Sequence, residues 1–210
     1  MTQHVQPGAG RNPEERPGFD RRMTRDEING LPLKRWQGPI HVISEHNQVP
    51  PAVARLQAAA VLGFDTETRP SFKKGQYYPP ALLQLATGEE VFLFRLACVG
   101  LPDPLRDILE NSAVIKTGVS LGYDLRELKK MSPFTGQGFV DLGQEAKRIR
   151  IKNHGLRGLC AVLLNFRISK SAQTSNWGRK KLTEAQIRYA ATDAWAGREL
   201  YFALQQTDLN

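Results

Sequence analysis

The sequence predicts an α/β fold in which helices flank both sides of a mixed central sheet. From residue 38 onward, short β-branched and apolar runs alternate with segments of helical periodicity. Two strand-like runs surround Thr87-Gly88, which is a hairpin signal. Three strands in sequence, then a helix, a strand and a helical last third, are typical of a mixed sheet between layers of helices.

The individual elements follow from local signals. Strands are expected at residues 40–44, 61–67, 81–86, 91–96, 113–118 and 139–142. Helices are expected at residues 51–60, 104–110 and 124–130, and proline in the first turn of the first helix is harmless. A core stripe at helical spacing contains Leu156, Leu159, Leu163 and Phe166. Thr183 and Gln186 form a capping box that begins a long helix ending near residue 204.

Length and composition favour one domain without a membrane span. The 210 residues suffice for one real core, which we place at residues 38–208, after a mobile tail at residues 1–37. No apolar run of about 18 residues is present, and the N-terminus lacks a secretion signal, so the cytoplasm is the default compartment. Cys98 and Cys160 lie in apolar contexts, which favours buried free thiols over a disulfide, a disulfide-linked partner or a metal pair.

The chain is basic, with a formal net charge of +8. Residues 147–181 contain ten Lys and Arg and no acidic residue. Such a distribution is the electrostatic footprint of a polyanion partner, although an ordinary solvated basic face is the alternative. In this interpretation, arginines of the tail also contact nucleic acid, although the acidic residues of the tail weaken the attraction. These arginines are Arg11, Arg16, Arg21, Arg22 and Arg25.

Four carboxylates and one tyrosine are the candidate catalytic residues. Asp65 and Glu67 lie two apart at the end of a buried strand, so they share one face, where charge is costly unless paired or bound to metal. Asp124 begins a helix after the strand ending at Gly118. Asp193 lies on the last helix, one turn after Tyr189. Taken singly, each carboxylate also has a plain explanation as a surface acid or a helix-terminal acid, and for Asp124 and Asp193 that explanation is the favoured one.

Taken together, these positions resemble the DEDD superfamily of 3′→5′ exonucleases, in its tyrosine-bearing branch. The first motif is Phe64-Asp65-Thr66-Glu67, the second runs from Gly118 to Asp124 and Leu128, and the third is Tyr189-Ala190-Ala191-Thr192-Asp193. Connecting segments also match, and the approach to the third motif is most similar to the Werner-syndrome-type exonuclease domain, a relative of RNase D. The resemblance covers roughly residues 58–204. It implies an RNase H-like (DnaQ-like) fold.

The resemblance also implies a role for each residue. Asp65 is expected to bridge two divalent ions, Glu67 and Asp193 to complete the site on the nucleophile side, and Asp124 to hold the second ion. Tyr189 is expected to orient the attacking water. The residue types agree with Mg²⁺ or Mn²⁺, since hard cations prefer oxygen ligands, whereas zinc prefers nearby Cys or His.

Binding residues are expected on both sides of this constellation. In the loop at residues 69–78, the predicted contacts are Lys73, Lys74 and Tyr77, which would grip a phosphate or stack a base unless the aromatics tuck against the sheet. A basic tract before the last helix is predicted to follow the substrate backbone through Lys170, Arg179, Lys180 and Lys181. Trp177 is expected in the core.

Three hypotheses for function remain at this point. The first is a metal-dependent 3′→5′ exonuclease, with DNA slightly favoured as the substrate. The second keeps the chemistry but places it on RNA, as in an RNase D-like or oligoribonucleotide-degrading enzyme. The third is an inactive module that only binds nucleic acid, which the loss of an acidic ligand would favour; none is lost. Oligomeric state stays open.

Overall fold

Six strands form one mixed sheet at the centre of the molecule. The computed structural model describes residues 16–73 and 75–208. The strands are β1 (Ile40–Ile43), β2 (Val61–Thr68), β3 (Pro80–Ala86), β4 (Val91–Arg95), β5 (Ile115–Gly118) and β6 (Phe139–Asp141). Their order across the sheet is β1-β4-β3-β2-β5-β6. Strand β3 is antiparallel to β2 and β4, whereas the other neighbouring pairs are parallel. The predicted mixed α/β architecture is confirmed.

The helices fall into long predicted ones and short ones that the sequence did not reveal. They are α1 (Arg25–Asn29), α2 (Val49–Gln57), α3 (Leu96–Val99), α4 (Asp103–Glu110), α5 (Leu121–Met131), α6 (Leu142–Arg148), α7 (Leu156–Leu164) and α8 (Glu184–Asp208). The unpredicted helices α1, α3 and α6 have five, four and seven residues. Segments this short show too few turns for a helical period to stand out.

The sheet is covered on both faces. Alternate residues of β2 and β3, such as Phe64 and Leu85, pack with α2, α3, α4 and α5. The opposite face packs against α8 through residues such as Leu82 and Ala86. Helices α6 and α7 pack beside α8 in a further cluster. Helix α8 therefore lies directly over the face to which Gly63, Asp65 and Glu67 of β2 point.

Residues 16–37 lie against this body, unlike the mobile tail that the sequence suggested. Trp36 is 8% exposed and packs with Ala190 and other residues of α8. Its backbone N–H donates a 3.1 Å hydrogen bond to the Thr192 hydroxyl, and the N–H of Lys34 donates to the carbonyl of Arg167 at 2.9 Å. A few long-range contacts anchor the segment, and these leave no periodic trace in a sequence. Residues 1–15, with Arg11, lie outside the described residues.

The predicted start of α8 is present in detail. The Thr183 hydroxyl accepts a 3.2 Å hydrogen bond from the Gln186 N–H, and the Gln186 side chain accepts a 3.0 Å bond from the Thr183 N–H. This reciprocal pair is a capping box. It fixes where the helix that carries Tyr189 and Asp193 begins.

The two cysteines differ from the expectation in one respect. Cys160 is a buried free thiol, as predicted, whereas the prediction is wrong for Cys98, a free thiol that is exposed. Cys98 belongs to the short helix α3, in which Leu96 and Val99 take the two positions that face the core. Among the described residues, no helix combines the length and apolarity needed to cross a membrane.

Candidate active site

Three carboxylates from two elements meet at the end of β2. Asp65 and Glu67 project from β2 toward α8, and Asp193 projects from α8 toward the strand. One carboxylate oxygen from each residue lies within 4.8 Å of the others. We call Asp65, Glu67 and Asp193 the acidic cluster. The structure thus brings together three of the four carboxylates that the sequence selected.

A close approach of α8 to β2 positions this cluster. Gly63 is two residues before Asp65, and a Cβ atom at Gly63 would lie 1.8 Å from the carbonyl oxygen of Ala194. Helix α8 presents only small residues here, and Ala190, Ala191 and Ala194 are fully buried. Ala194 follows Asp193 directly. The absence of a side chain at Gly63 therefore sets the distance between Asp193 and β2.

Asp124 reaches the same region from α5. Its carboxylate accepts a 2.6 Å hydrogen bond from the hydroxyl of Thr66, which lies between Asp65 and Glu67 in the chain. Helix α5 follows Ser120, whose φ of 64° lies in the left-handed region. The Asp141 carboxylate accepts hydrogen bonds from the N–H groups of Ser120 and Leu121 at 3.2 and 3.0 Å. These bonds stabilise the uncommon turn that aims Asp124 at β2.

Burial raises the pKa values of all four carboxyl groups, and repulsion by neighbouring carboxylates adds to the shift for Asp65 and Glu67. Burial is the main cause for Asp65, and the charges of Asp193 and Asp124 add to it. Burial, followed by the charge of Asp65, raises the pKa of Glu67 to about 10. Burial also raises the pKa of Asp193 to about 7, against the opposing effects of the Tyr189 hydroxyl and Lys170. Burial raises the pKa of Asp124 too, opposed by the Thr66 hydrogen bond.

Tyr189 lines the same cavity as the acidic cluster. This cavity has a volume of about 220 Å³, and its walls include Asp65, Glu67, Tyr189 and Asp193. The tyrosine ring is 8% exposed and lies against Trp177, with ring centroids 5.9 Å apart. Burial, together with the charges of Asp193 and Glu67, raises the pKa of Tyr189. Its hydroxyl therefore stays protonated and can donate a hydrogen bond into the cavity.

The donor set suits a hard divalent cation. Carboxylate oxygens are the ligands that Mg²⁺ and Mn²⁺ prefer. Within the described residues, Oδ1 of Asp193 is buried and has no hydrogen-bond partner, a situation that is unfavourable unless another group satisfies the oxygen. A cation would satisfy it and would also relieve the repulsion that raises the pKa values. The acidic cluster therefore fits divalent metal binding.

The predicted binding residues are spread over three places. Lys170 is exposed and lines a cavity together with Tyr189 and Asp193. Lys73 and Tyr77 are exposed in the loop after β2, and Tyr77 stacks under the Lys130 ammonium of α5 at 5.1 Å. Lys74 lies outside the described residues.

The remaining three belong to the basic tract before α8. The side chains of Arg179, Lys180 and Lys181 are exposed, while Arg95 at the end of β4 binds the backbone carbonyls of Arg179 and Lys180. The tract is thus held at the end of β4 with its cations in solvent. A role for any of these residues in binding nucleic acid stays a prediction.

Comparison with known proteins defines the class to which this fold and site belong. Residues 40–207 match the sequence family of 3′-5′ exonucleases. Because the match spans most of the chain, the chain belongs to this family. Its fold is also that of the family: the EXO domain of Aedes aegypti Nibbler superimposes with a TM-score of 0.76 at 21% identity, covering 84% of this chain and 94% of that one. The expected RNase H-like fold is confirmed.

Two relatives show how much of a longer protein this chain matches. The bifunctional 3′-5′ exonuclease/ATP-dependent helicase WRN of Mus musculus is 35% identical over 153 residues, or 70% of this chain and 11% of that protein. Ribonuclease D of Haemophilus influenzae is 27% identical over 178 residues, or 83% of this chain and 44% of that protein. The chain therefore spans less than half the length of either relative.

Sequence reasoning missed several residues that shape the site. Thr66 was read only as part of a motif, although its hydroxyl binds Asp124. Gly63 did carry a signal, since glycine inside a strand often marks close approach of another backbone. Trp36 carried none, because its contact with Thr192 joins segments more than 100 residues apart in the chain.

Proposed function

We propose that the protein is a metal-dependent 3′→5′ exonuclease that hydrolyses the terminal phosphodiester bond of a nucleic-acid strand. The acidic cluster carries this proposal: three carboxylates with oxygens within 4.8 Å of one another, on a chain of the 3′-5′ exonuclease family. Acids this close and this buried do not ionise together unless a cation balances them. A divalent metal provides that balance, and phosphodiester hydrolysis uses it.

The proposed cofactors are two divalent ions, Mg²⁺ or Mn²⁺. Asp65 would bind both ions, Glu67 and Asp193 would complete one site, and Asp124 would contribute to the other. Bound at these positions, the ions supply charge stabilisation to the attacking and leaving oxygens of the phosphodiester. The hydrogen bond from Thr66 to Asp124 supports this assignment, because it fixes the orientation of one carboxylate oxygen.

Tyr189 would orient the water that attacks the phosphorus atom. Its protonated hydroxyl lies in the wall of the cavity that holds the carboxylates, and Trp177 limits the movement of its ring. A fixed donor contributes to catalysis by holding the nucleophile in line with the bond that breaks. Lys170 lies close enough to lower the pKa of Asp193, so we also assign it a contact with the substrate near this site.

Both DNA and RNA are candidate substrates. The similarity to DNA polymerase I of Aquifex aeolicus, 29% identical over 150 residues, supports a DNA-directed role. The longer match to Ribonuclease D of Haemophilus influenzae supports an RNA-directed role. A hydrolytic site of this kind acts on a phosphodiester, which both polymers contain. The sugar preference therefore depends on contacts outside the acidic cluster.

A digestion ladder tests the activity and the substrate together. Matched 5′-labelled single-stranded DNA, recessed-end duplex DNA and RNA are incubated with Mg²⁺, Mn²⁺ or EDTA, beside the Asp65→Ala variant. We expect stepwise shortening from the 3′ end that needs both the metal and Asp65, and the faster polymer identifies the sugar preference. Binding of all substrates without shortening would reject the exonuclease and indicate a binding module. Wild-type turnover by Asp65→Ala would reject the assignment of the site.

A further inference from the structure

A basic groove leads from the surface of the molecule to the acidic cluster. Its outer part has a volume of about 830 Å³, and its cationic walls are Arg22, Arg25, Arg157, Arg167 and Lys170. The inner part, of about 230 Å³, shares Arg157 and Lys170 with the outer part and is also lined by Tyr189 and Asp193. The groove is therefore continuous from the N-terminal segment to the site.

The positive charge of the groove is not neutralised by the described residues. No carboxylate lines its outer part among them. Arg22 donates to the carbonyl of Lys152 at 3.1 Å, and Arg167 donates to the carbonyls of Asn29 and Leu31 at 3.2 and 3.1 Å. These partners are neutral. Arg157 donates to the side chain of Asn29 at 2.5 Å, and this partner is neutral too.

The outer wall is anchored to the body. The N–H of Met23 donates a 2.9 Å hydrogen bond to the Asn153 side chain, and a capping box between Thr24 and Glu27 fixes the start of α1. Arg22 and Arg25, on either side of this start, therefore have a defined position beside the groove. Both precede residue 40, where the match to the exonuclease family begins. This wall therefore lies outside the residues that match the family.

We propose that the basic groove binds the sugar-phosphate backbone of the substrate strand, on the 5′ side of the nucleotide being removed. The proposal rests on the proposed function, since a 3′ end at the acidic cluster leaves the 5′ portion to exit through the groove. A row of cations without carboxylates suits a regularly repeating phosphate chain, and such contacts are independent of sequence and sensitive to salt. Arg22 and Arg25 are then substrate-binding residues supplied by the N-terminal segment.

The test removes two charges from the groove wall and compares them with two charges removed elsewhere. The variant is Arg22→Gln/Arg25→Gln, and the matched control is Arg55→Gln/Lys129→Gln, in which both side chains are exposed, on α2 and α5. All full-length proteins are first checked for the same cooperative thermal unfolding. Binding of labelled oligothymidylate and oligouridylate of about 20 nucleotides is then measured by fluorescence anisotropy in EDTA, over about 50 to 200 mM salt.

We expect a loss of affinity and of kcat/KM that is confined to the groove variant and to long substrates. The slope of log K against log salt is negative, and removing two phosphate contacts should make it shallower by about 1.4. Binding should weaken roughly tenfold. In Mg²⁺, kcat/KM should fall similarly on the long strand and stay within about twofold on a dinucleotide, which does not reach Arg22 or Arg25.

Two results would overturn the proposal. The first is the same affinity and the same salt slope in the groove variant and in the control. The second is an equal loss of kcat/KM on the dinucleotide and the long strand, which would indicate a disturbed acidic cluster. The anisotropy measurement needs no turnover. If no protein cleaves any substrate, the exonuclease proposal fails while the groove is still judged by binding.

Discussion

Replacing Gly63 by alanine is expected to separate the two elements that carry the acidic cluster. The added Cβ would lie 1.8 Å from the carbonyl oxygen of Ala194, whereas ordinary contact begins at 3.4 Å. Strand β2 and helix α8 must therefore move apart by about 1.6 Å at this point, or distort. Neither side can yield easily, because the Cβ is attached to the backbone of β2 and the carbonyl belongs to the backbone of α8. Asp193 adjoins Ala194, so its carboxylate moves away from Asp65 and Glu67.

The expected effect is large on catalysis and moderate on stability. A displacement of about 1 Å in a catalytic group costs on the order of 100-fold in rate, and overpacking costs about 1 to 3 kcal/mol of unfolding free energy. The rate is measured as 3′-end shortening in Mg²⁺, and the stability by urea unfolding in EDTA. The matched control is Gly30→Ala, where the new Cβ meets its nearest atom at 3.5 Å. A Gly63→Ala enzyme with wild-type rate would refute this account of how the cluster is held.

Three further substitutions probe single groups of the site. Asp193→Asn should raise the unfolding free energy of the metal-free protein near pH 7. Burial raises the pKa of Asp193 to about 7 from 3.8, so the contribution of this group to wild-type stability is fully present below the lower value and is lost between the two values by up to about 1.4 kcal/mol per pH unit. Tyr189→Phe should lower kcat roughly 10- to 100-fold without loss of metal binding, measured by calorimetric titration with Mn²⁺. Thr66→Val should weaken metal binding or activity about 10- to 100-fold, because it removes the hydrogen bond that orients Asp124.

For each of these three substitutions, one result would contradict the expectation. A pH-independent difference in stability between Asp193→Asn and wild type in EDTA would show that Asp193 ionises normally. Loss of Mn²⁺ binding in Tyr189→Phe would make the tyrosine a structural support. Unchanged activity in Thr66→Val would show that α5 alone positions Asp124.

The sequence predicts the layered sheet well because its signals are local. The hairpin at Thr87-Gly88 joins β3 to β4, and the capping box at Thr183 begins α8. These signals depend on residues within a few positions of one another. The N-terminal segment lacks them: Trp36 is buried against α8 and bonds to Thr192, which lies 156 residues further along the chain. Contacts of that kind have no signature in a single sequence.

The carboxylates of the site were selected from motif spacing, and their convergence follows from topology. Asp65 and Glu67 share a strand face, and α8 crosses that face. The binding residues were harder to choose because exposed cations occur all over a basic chain. Tyr77 illustrates the difficulty, since the structure places it beneath Lys130 of α5. Compartment and oligomeric state depend on no residue pattern found in this chain and stay open.

The position of α8 has a consequence for synthesis of the protein. Asp65 is made 128 residues before Asp193, and at about 5 to 20 residues per second this interval is roughly 6 to 26 s. Throughout it, the nascent chain holds the acidic strand without the helix that completes the site. A growing chain therefore cannot assemble the acidic cluster until most of its fold has been made.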